Sequence, residues 1–246
     1  MNLIFRLVFV VLAASLSCSV LAQTSQPVFD DWFLITKDQK LKKPAGFVHA
    51  TGSWVEVKGK RLYKLQKTQE IDTTFLFIRF DITSDEVAYY DDEGLLGAKV
   101  DFTRGDKVIE IVGKRSGDLF SITQTTTEDG ESTVVTFSKS LDDVKYTSFD
   151  ALKPVDIGAW TVGTEKAEQT FIFLKEELIE FKFESLGRRF ENVRGETTEI
   201  TAIEISGPQD SEIWYNNQGQ RIAGKQRLGS FYRVNQQVAE DWKQSK

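Results

Sequence analysis

The sequence predicts an all-β fold: a large curved antiparallel meander, as an open barrel or a sandwich, with one short irregular or helical crossover near 140–169. Three observations lead there. Apolar and polar residues alternate with a period of two in several separate runs. Polar turns carrying Gly recur between those runs at hairpin spacing. The runs themselves are rich in Thr, Val, Ile, Phe and Tyr, the residue types that suit a pleated, half-buried surface.

The chain opens on a leader. Met1 to Arg6 carries one basic side chain, Leu7 to Ala14 is unbroken apolar, and Val20 and Ala22 stand where a signal peptidase reads small residues. A transmembrane anchor takes about 20 apolar residues, and this run breaks earlier, into Ser15, Ser17, Cys18 and Ser19. Ser15 occupies the position at which a lipoprotein signal carries Leu, which speaks against lipidation of Cys18. The expectation is a signal peptide over 1–22, cleaved after Ala22, and a single β-rich domain over 23–246.

Cleavage removes the one Met and the one Cys, and with Arg6 gone Lys+Arg falls from 31 to 30 against 37 Asp+Glu. A net acidic chain is poorly suited to phosphate backbones and to anionic membrane surfaces. An exported chain without cysteine must rest on its core, which a domain of this size can build. The part beyond the leader also lacks an Asn-x-Ser/Thr acceptor. Together these features predict a bacterial periplasm as its address.

Strand follows strand after that. The alternation predicts a strand over Phe47 to Trp54, with His49 on the face of Phe47 and Thr51 and opposite Val48 and Trp54. Leu76, Ile78, Phe80 and Ile82 alternate with Phe77, Arg79, Asp81 and Thr83. Ile179, Phe181 and Phe183 alternate with Glu180, Lys182 and Glu184, and Ile203 and Ile205 with Glu204 and Ser206. Turn signals fall at Lys58-Gly59-Lys60, Asp91 to Gly94, Arg104-Gly105-Asp106, Ser116-Gly117-Asp118, Glu128-Asp129-Gly130, Arg194-Gly195-Glu196 and Asn216 to Gly219. Pro27, Pro44, Pro154 and Pro208 all avoid the alternating runs. The spacing predicts about a dozen strands, each pairing mostly with its neighbours in sequence. The alternation fades from Ser140 to Gln169, where Trp160 sits between Gly158 and Gly163. Gln236 to Lys246 reads as a short terminal helix or a frayed end.

Little in this inventory carries chemistry. One His and no Cys cannot supply the usual zinc ligands, and no nucleophile elbow, phosphate loop, dinucleotide fingerprint or EF-hand loop is present. The acidic turn Asp91-Asp92-Glu93 reads as a solvated hairpin tip rather than a calcium site. Paired carboxylates for glycoside hydrolysis remain open among so many acids. His49 reads as a hydrogen-bonded structural residue, and the expectation is no catalytic residue, no metal and no cofactor.

Trp32-Phe33 with Gly46-Phe47-Val48-His49 resembles the first hairpin of uncharacterised proteobacterial periplasmic all-β families. The turns Asp92-Glu93-Gly94 and Trp214 to Gly219 resemble theirs as well. Those families are distantly similar to the lipoprotein-carrier superfamily, and the resemblance implies a strongly curved sheet around an apolar cavity. It brings no functional residues with it.

Three functions follow as expectations. The first is a non-catalytic envelope protein holding a lipid-like or other apolar ligand, with Trp160, Phe171, Phe173, Trp54 and His49 as candidate ligand-binding residues. The second is an interaction module binding a polymer or an envelope protein partner through a sheet edge or exposed aromatics. The third is a hydrolase using paired carboxylates.

Overall fold

In the computed structural model the described residues are 27–36, 44–75, 78–148, 155–208, 210–226 and 229–244. The expected leader over 1–22 and its cleavage point, Leu76 and Phe77, and the stretch 149–154 lie outside them. Fourteen strands form one antiparallel sheet that is not closed into a barrel. In chain order they are β1 (Pro27–Thr36), β2 (Pro44–Val57), β3 (Lys60–Phe75), β4 (Ile78–Asp91), β5 (Gly94–Arg104), β6 (Lys107–Ser116) and β7 (Leu119–Glu128). There follow β8 (Glu131–Ser140), β9 (Glu165–Ile172), β10 (Glu177–Val193), β11 (Glu196–Ser206), β12 (Ser211–Tyr215), β13 (Arg221–Gln226) and β14 (Gly229–Val234). A single α-helix, α1 (Gln236–Gln244), closes the described chain.

The order across the sheet is β8-β7-β6-β5-β4-β3-β2-β1-β14-β13-β12-β11-β10-β9. The chain therefore starts in the middle, walks to one edge, crosses to the far edge and walks back until β14 pairs with β1 at Trp32↔Val234. All seven Gly-bearing turns fall between consecutive strands, as their chemistry predicts. The apolar run around Leu76 is different: β3 ends at Phe75, β4 begins at Ile78, and those two residues pair. One expected strand is thus the junction of two. It contains none of the Gly, Asn, Asp or Pro that advertise a reversal, so alternation ran straight through it.

Cross-strand pairing traces two faces. One row runs Val234, Trp32, His49, Thr68, Asp85, Asp101, Glu110, Thr125 and Val134. The next row runs on the opposite face through Asp31, Ala50, Lys67, Glu86, Val100, Ile111, Gln124 and Val135. From β4 to β7 only the second face is buried: Ala88, Val100, Ile111, Phe120 and Ile122 are shut from water while Val108 and Val112 on the first face are exposed. On β14 the first face is the buried one, through Ser230, Tyr232 and Val234. The covered side changes hands across the middle of the sheet.

Curling brings the far edge back onto this core. Phe171 of β9 and Phe173 just after it join Val144 of the crossover in the cluster of Leu65, Val100, Ile111 and Phe120. Phe171 and Phe173 meet edge to face at 5.2 Å, a favourable aromatic geometry. Tight strand contact permits the curl: a Cβ on Gly52 would meet the Phe29 ring and the Tyr63 hydroxyl at 2.3 Å. Elsewhere α1 lays Ala239 and Trp242 over Leu34, Phe47 and Val234, and Trp242 Nε1 donates to the Pro44 carbonyl at 3.2 Å.

The irregular segment is shorter than the sequence predicts. Among its described residues the regular parts are the 3-10 turn Ile157–Ala159 and the strand β9, already under way at Glu165. Asp156 caps that turn by accepting from the Gly158 amide at 3.0 Å.

Candidate functional site

The five residues singled out by sequence do not form one constellation. Phe171 and Phe173 are fully buried in the main core cluster. Trp160 lies half-buried against Phe183, ring centroids 6.5 Å apart. Trp54 is 42% exposed on β2, flanked by Tyr63 at 5.1 Å and with the Arg61 guanidinium 4.5 Å over its ring. His49 lies on the opposite face of the same strand, as alternation predicts. Its ring stacks on Trp32 at 3.7 Å, and its Nε2 donates to Asp30 at 2.8 Å. The imidazole is about one quarter exposed, 27%, so it is less buried than a core histidine.

Charged groups on the sheet are engaged with one another. Lys67 reaches Glu86 at 2.6 Å, and Ser84 donates to the same carboxylate oxygen at 2.9 Å. That carboxylate is nearly dry, with 8% of its side chain exposed. Asp31 pairs with Arg233; burial, opposed by Arg233 and Arg221, leaves its carboxyl above the ordinary value. Arg189 and the Trp214 indole both donate to Glu212. At Asp91 burial resists ionisation, but Arg115 and the Glu93 amide outweigh it and hold the carboxyl below its usual value. Asp106 meets Asp129 and raises its pKa, at two hairpin tips open to water. Among the described residues no three His, Cys, Asp or Glu are grouped to hold a metal ion, and no helix is long and apolar enough to cross a membrane.

The sheet has two ends, and they are treated differently. Along β9, Phe171 donates to the Tyr146 carbonyl at 2.8 Å and accepts from the Ser148 amide at 3.2 Å, so the crossover meets that edge in parallel at its Phe171 end. Along β8 no strand follows among the described residues. The turn before β8 has positive φ at both central residues, 52° at Asp129 and 80° at Gly130, which is type I′. In a two-residue hairpin of this kind Glu128 and Glu131 exchange hydrogen bonds, so the odd residues of β8 bond to β7 and the even ones point outward. Ser140 obeys this rule: its amide turns to Asp143 at 3.3 Å. Ser132, Val134, Thr136 and Ser138 present the same groups to the outside.

The side chains around this edge suit strand addition. β8 pairs with β7 over ten residues without a bulge. It contains no Pro, and its central six residues Ser132 to Phe137 carry no charge. Val134 and Val135 are exposed. On the outer face, hydroxyls meet across the hairpin at Ser121–Ser138, Thr123–Thr136 and Thr127–Ser132. Proteins usually blunt such an edge with a charge, a proline or a bulge. Sequence reading missed this surface, although Val134-Val135 set among Ser and Thr was its one local signal.

No family model, curated protein or solved structure matches the chain.

Proposed function

We propose that this is a non-catalytic, exported protein that works in the bacterial envelope as an interaction module, receiving an extended segment of a partner along β8. One observation carries the reading: ten residues of straight, bulge-free edge strand with no strand beyond it among the described residues, in a sheet whose other edge is met by the crossover at Phe171. Strand addition draws its affinity from main-chain hydrogen bonds and its selectivity from alternate side chains. Val134, with Thr136, supplies the outer-face contacts, and Val135, with Thr133, the inner ones. The leader over 1–22 supports the envelope as the address. The paired charges and the aromatic side chains filling the curl support binding rather than turnover.

A photo-crosslinking side chain at Val134, introduced in the native host, tests this. We expect discrete adducts from position 134, none from Val112 on the outer face of β6, and their loss with Thr136→Pro. Proline there removes one outward amide and is tolerated on an edge whose N–H faces water. The absence of adducts from 134, or adducts unchanged by Thr136→Pro, ends the reading.

A further inference from the structure

We infer that the segment received by β8 is β8 of a second copy, so that the protein forms a two-fold dimer with one sheet running through both subunits. This rests on the strand-addition reading above and assigns its partner. Antiparallel pairing of two identical strands is isologous, so every contact is made twice. The register is set by charge. The two charged residues of β8 are Glu131 and Lys139, near its two ends. With Val135 on the two-fold axis, Glu131 of each copy falls opposite Lys139 of the other. A register displaced by two residues in either direction separates both pairs.

Three further features fit that register. Outward-pointing residues meet outward-pointing residues: Ser132 faces Ser138 of the other copy and Val134 faces Thr136. Each such pair exchanges two backbone hydrogen bonds, as an antiparallel ladder requires. The hydroxyl row then continues across the junction, from Thr127–Ser132 in one subunit into Ser138–Ser121 in the other. The exposed Val134 and Val135 are covered on opposite faces of the new ladder. Lys139 is already held near the strand, its ammonium 5.8 Å from the Phe137 ring and 5.7 Å from Phe171, so little freedom is lost in meeting Glu131. β9 is a poor competitor for the same edge, since it is charged at Glu165, Lys166 and Glu168 and occupied by the crossover at Phe171.

Cysteine placement reads out the register. In a Cys18→Ser background, Val135→Cys sits on the axis in a non-hydrogen-bonded pair, where Cα atoms lie about 4.5 Å apart and a disulfide is permitted. We expect Val135→Cys to form a covalent dimer under air, and Thr133→Cys, whose copies lie several residues apart, to form none. Sedimentation of the uncrosslinked protein should give a dimer at micromolar concentration and a monomer for Thr136→Pro. Glu131→Lys should weaken association about five- to tenfold, since two favourable cross-strand pairs become repulsive, and Glu131→Lys with Lys139→Glu should restore it. A monomer at all concentrations, or disulfides from Thr133→Cys as readily as from Val135→Cys, overturns the dimer. If position 134 nevertheless captures a different envelope protein, the strand-addition reading stands without it. If position 134 captures nothing, both fall.

Discussion

Strands β4 to β7 and strands β11 to β13 are built from similar residues but live in different surroundings. In β6, Ile109 and Ile111 are buried while Val108 and Val112 face water. In β11, four consecutive residues, Ile200, Thr201, Ala202 and Ile203, are all buried. Trp214 and Tyr215 are buried side by side in β12, as are Ala223 and Gly224 in β13. The first arm is a sheet with a dry side and a wet side. The middle of the second is covered on both, which leaves it no tolerant face. A one-residue change in β6 has a side to hide on, and in β11 it has none.

The largest effect should come from the polar pair in the dry face of the first arm. Lys67→Met leaves Glu86 buried without its cation, and breaking such a pair typically costs about 3–5 kcal/mol. The lower end is expected because Lys67 keeps some exposure. Lys67→Met combined with Glu86→Leu should recover most of the loss in a denaturation midpoint, because an apolar pair fits that face. A single variant as stable as the parent would show that water reaches the site.

The comparison itself is tested next. Ala202→Val adds bulk to a fully buried position between Trp214 and Gly187, and overpacking there should cost about 1–3 kcal/mol. Val112→Ala on the wet face of β6 should stay within about 0.5 kcal/mol. Equal losses in thermal unfolding would erase the distinction between the arms.

A smaller effect depends on pH. Asp91 titrates below its ordinary 3.8 in the folded protein, so the stability its ionised form contributes is present above that value and disappears as pH falls through the folded one. Asp91→Asn should therefore lose about 1 kcal/mol near neutrality, and its denaturation midpoint should converge on that of the parent in acid. A constant gap across the titration would assign the loss to packing.

This contrast also decides what was readable. Alternation is strongest where one face is wet, so the all-β class and the seven polar turns were legible from residues such as Gly59, Gly105 and Gly130. The reversal between Phe75 and Ile78 was not, because it lacks turn chemistry. Nor was the pairing of β1 with β14: the register that sets Phe33 opposite Arg233 leaves no trace in either local sequence. His49 was correctly placed on its face, but its neighbours Trp32 and Asp30 come from another strand. Phe171 and Phe173 stood out as aromatic, yet only the curl shows that they fill the core. The free edge of β8 is a property of the whole sheet order, which is why its residues read as an ordinary hairpin.

The meeting of β1 with β14 has a temporal meaning. Every other neighbouring pair of strands is contiguous in the chain, so either arm can zip up by short hairpin steps as it emerges. The central junction joins Thr36 to Ser230, 194 residues apart, and Trp242 to Pro44, 198 apart. All of the long-distance strand pairing, the slow part of β-protein folding, is concentrated in that one closure. Until it happens each arm shows a raw strand at the future centre of the sheet. A chain that crosses a membrane unfolded and amino end first would hold β1 waiting in this state until its last strand arrived. The interval between the two is the period in which this molecule is most exposed to chaperones, proteases and its own copies.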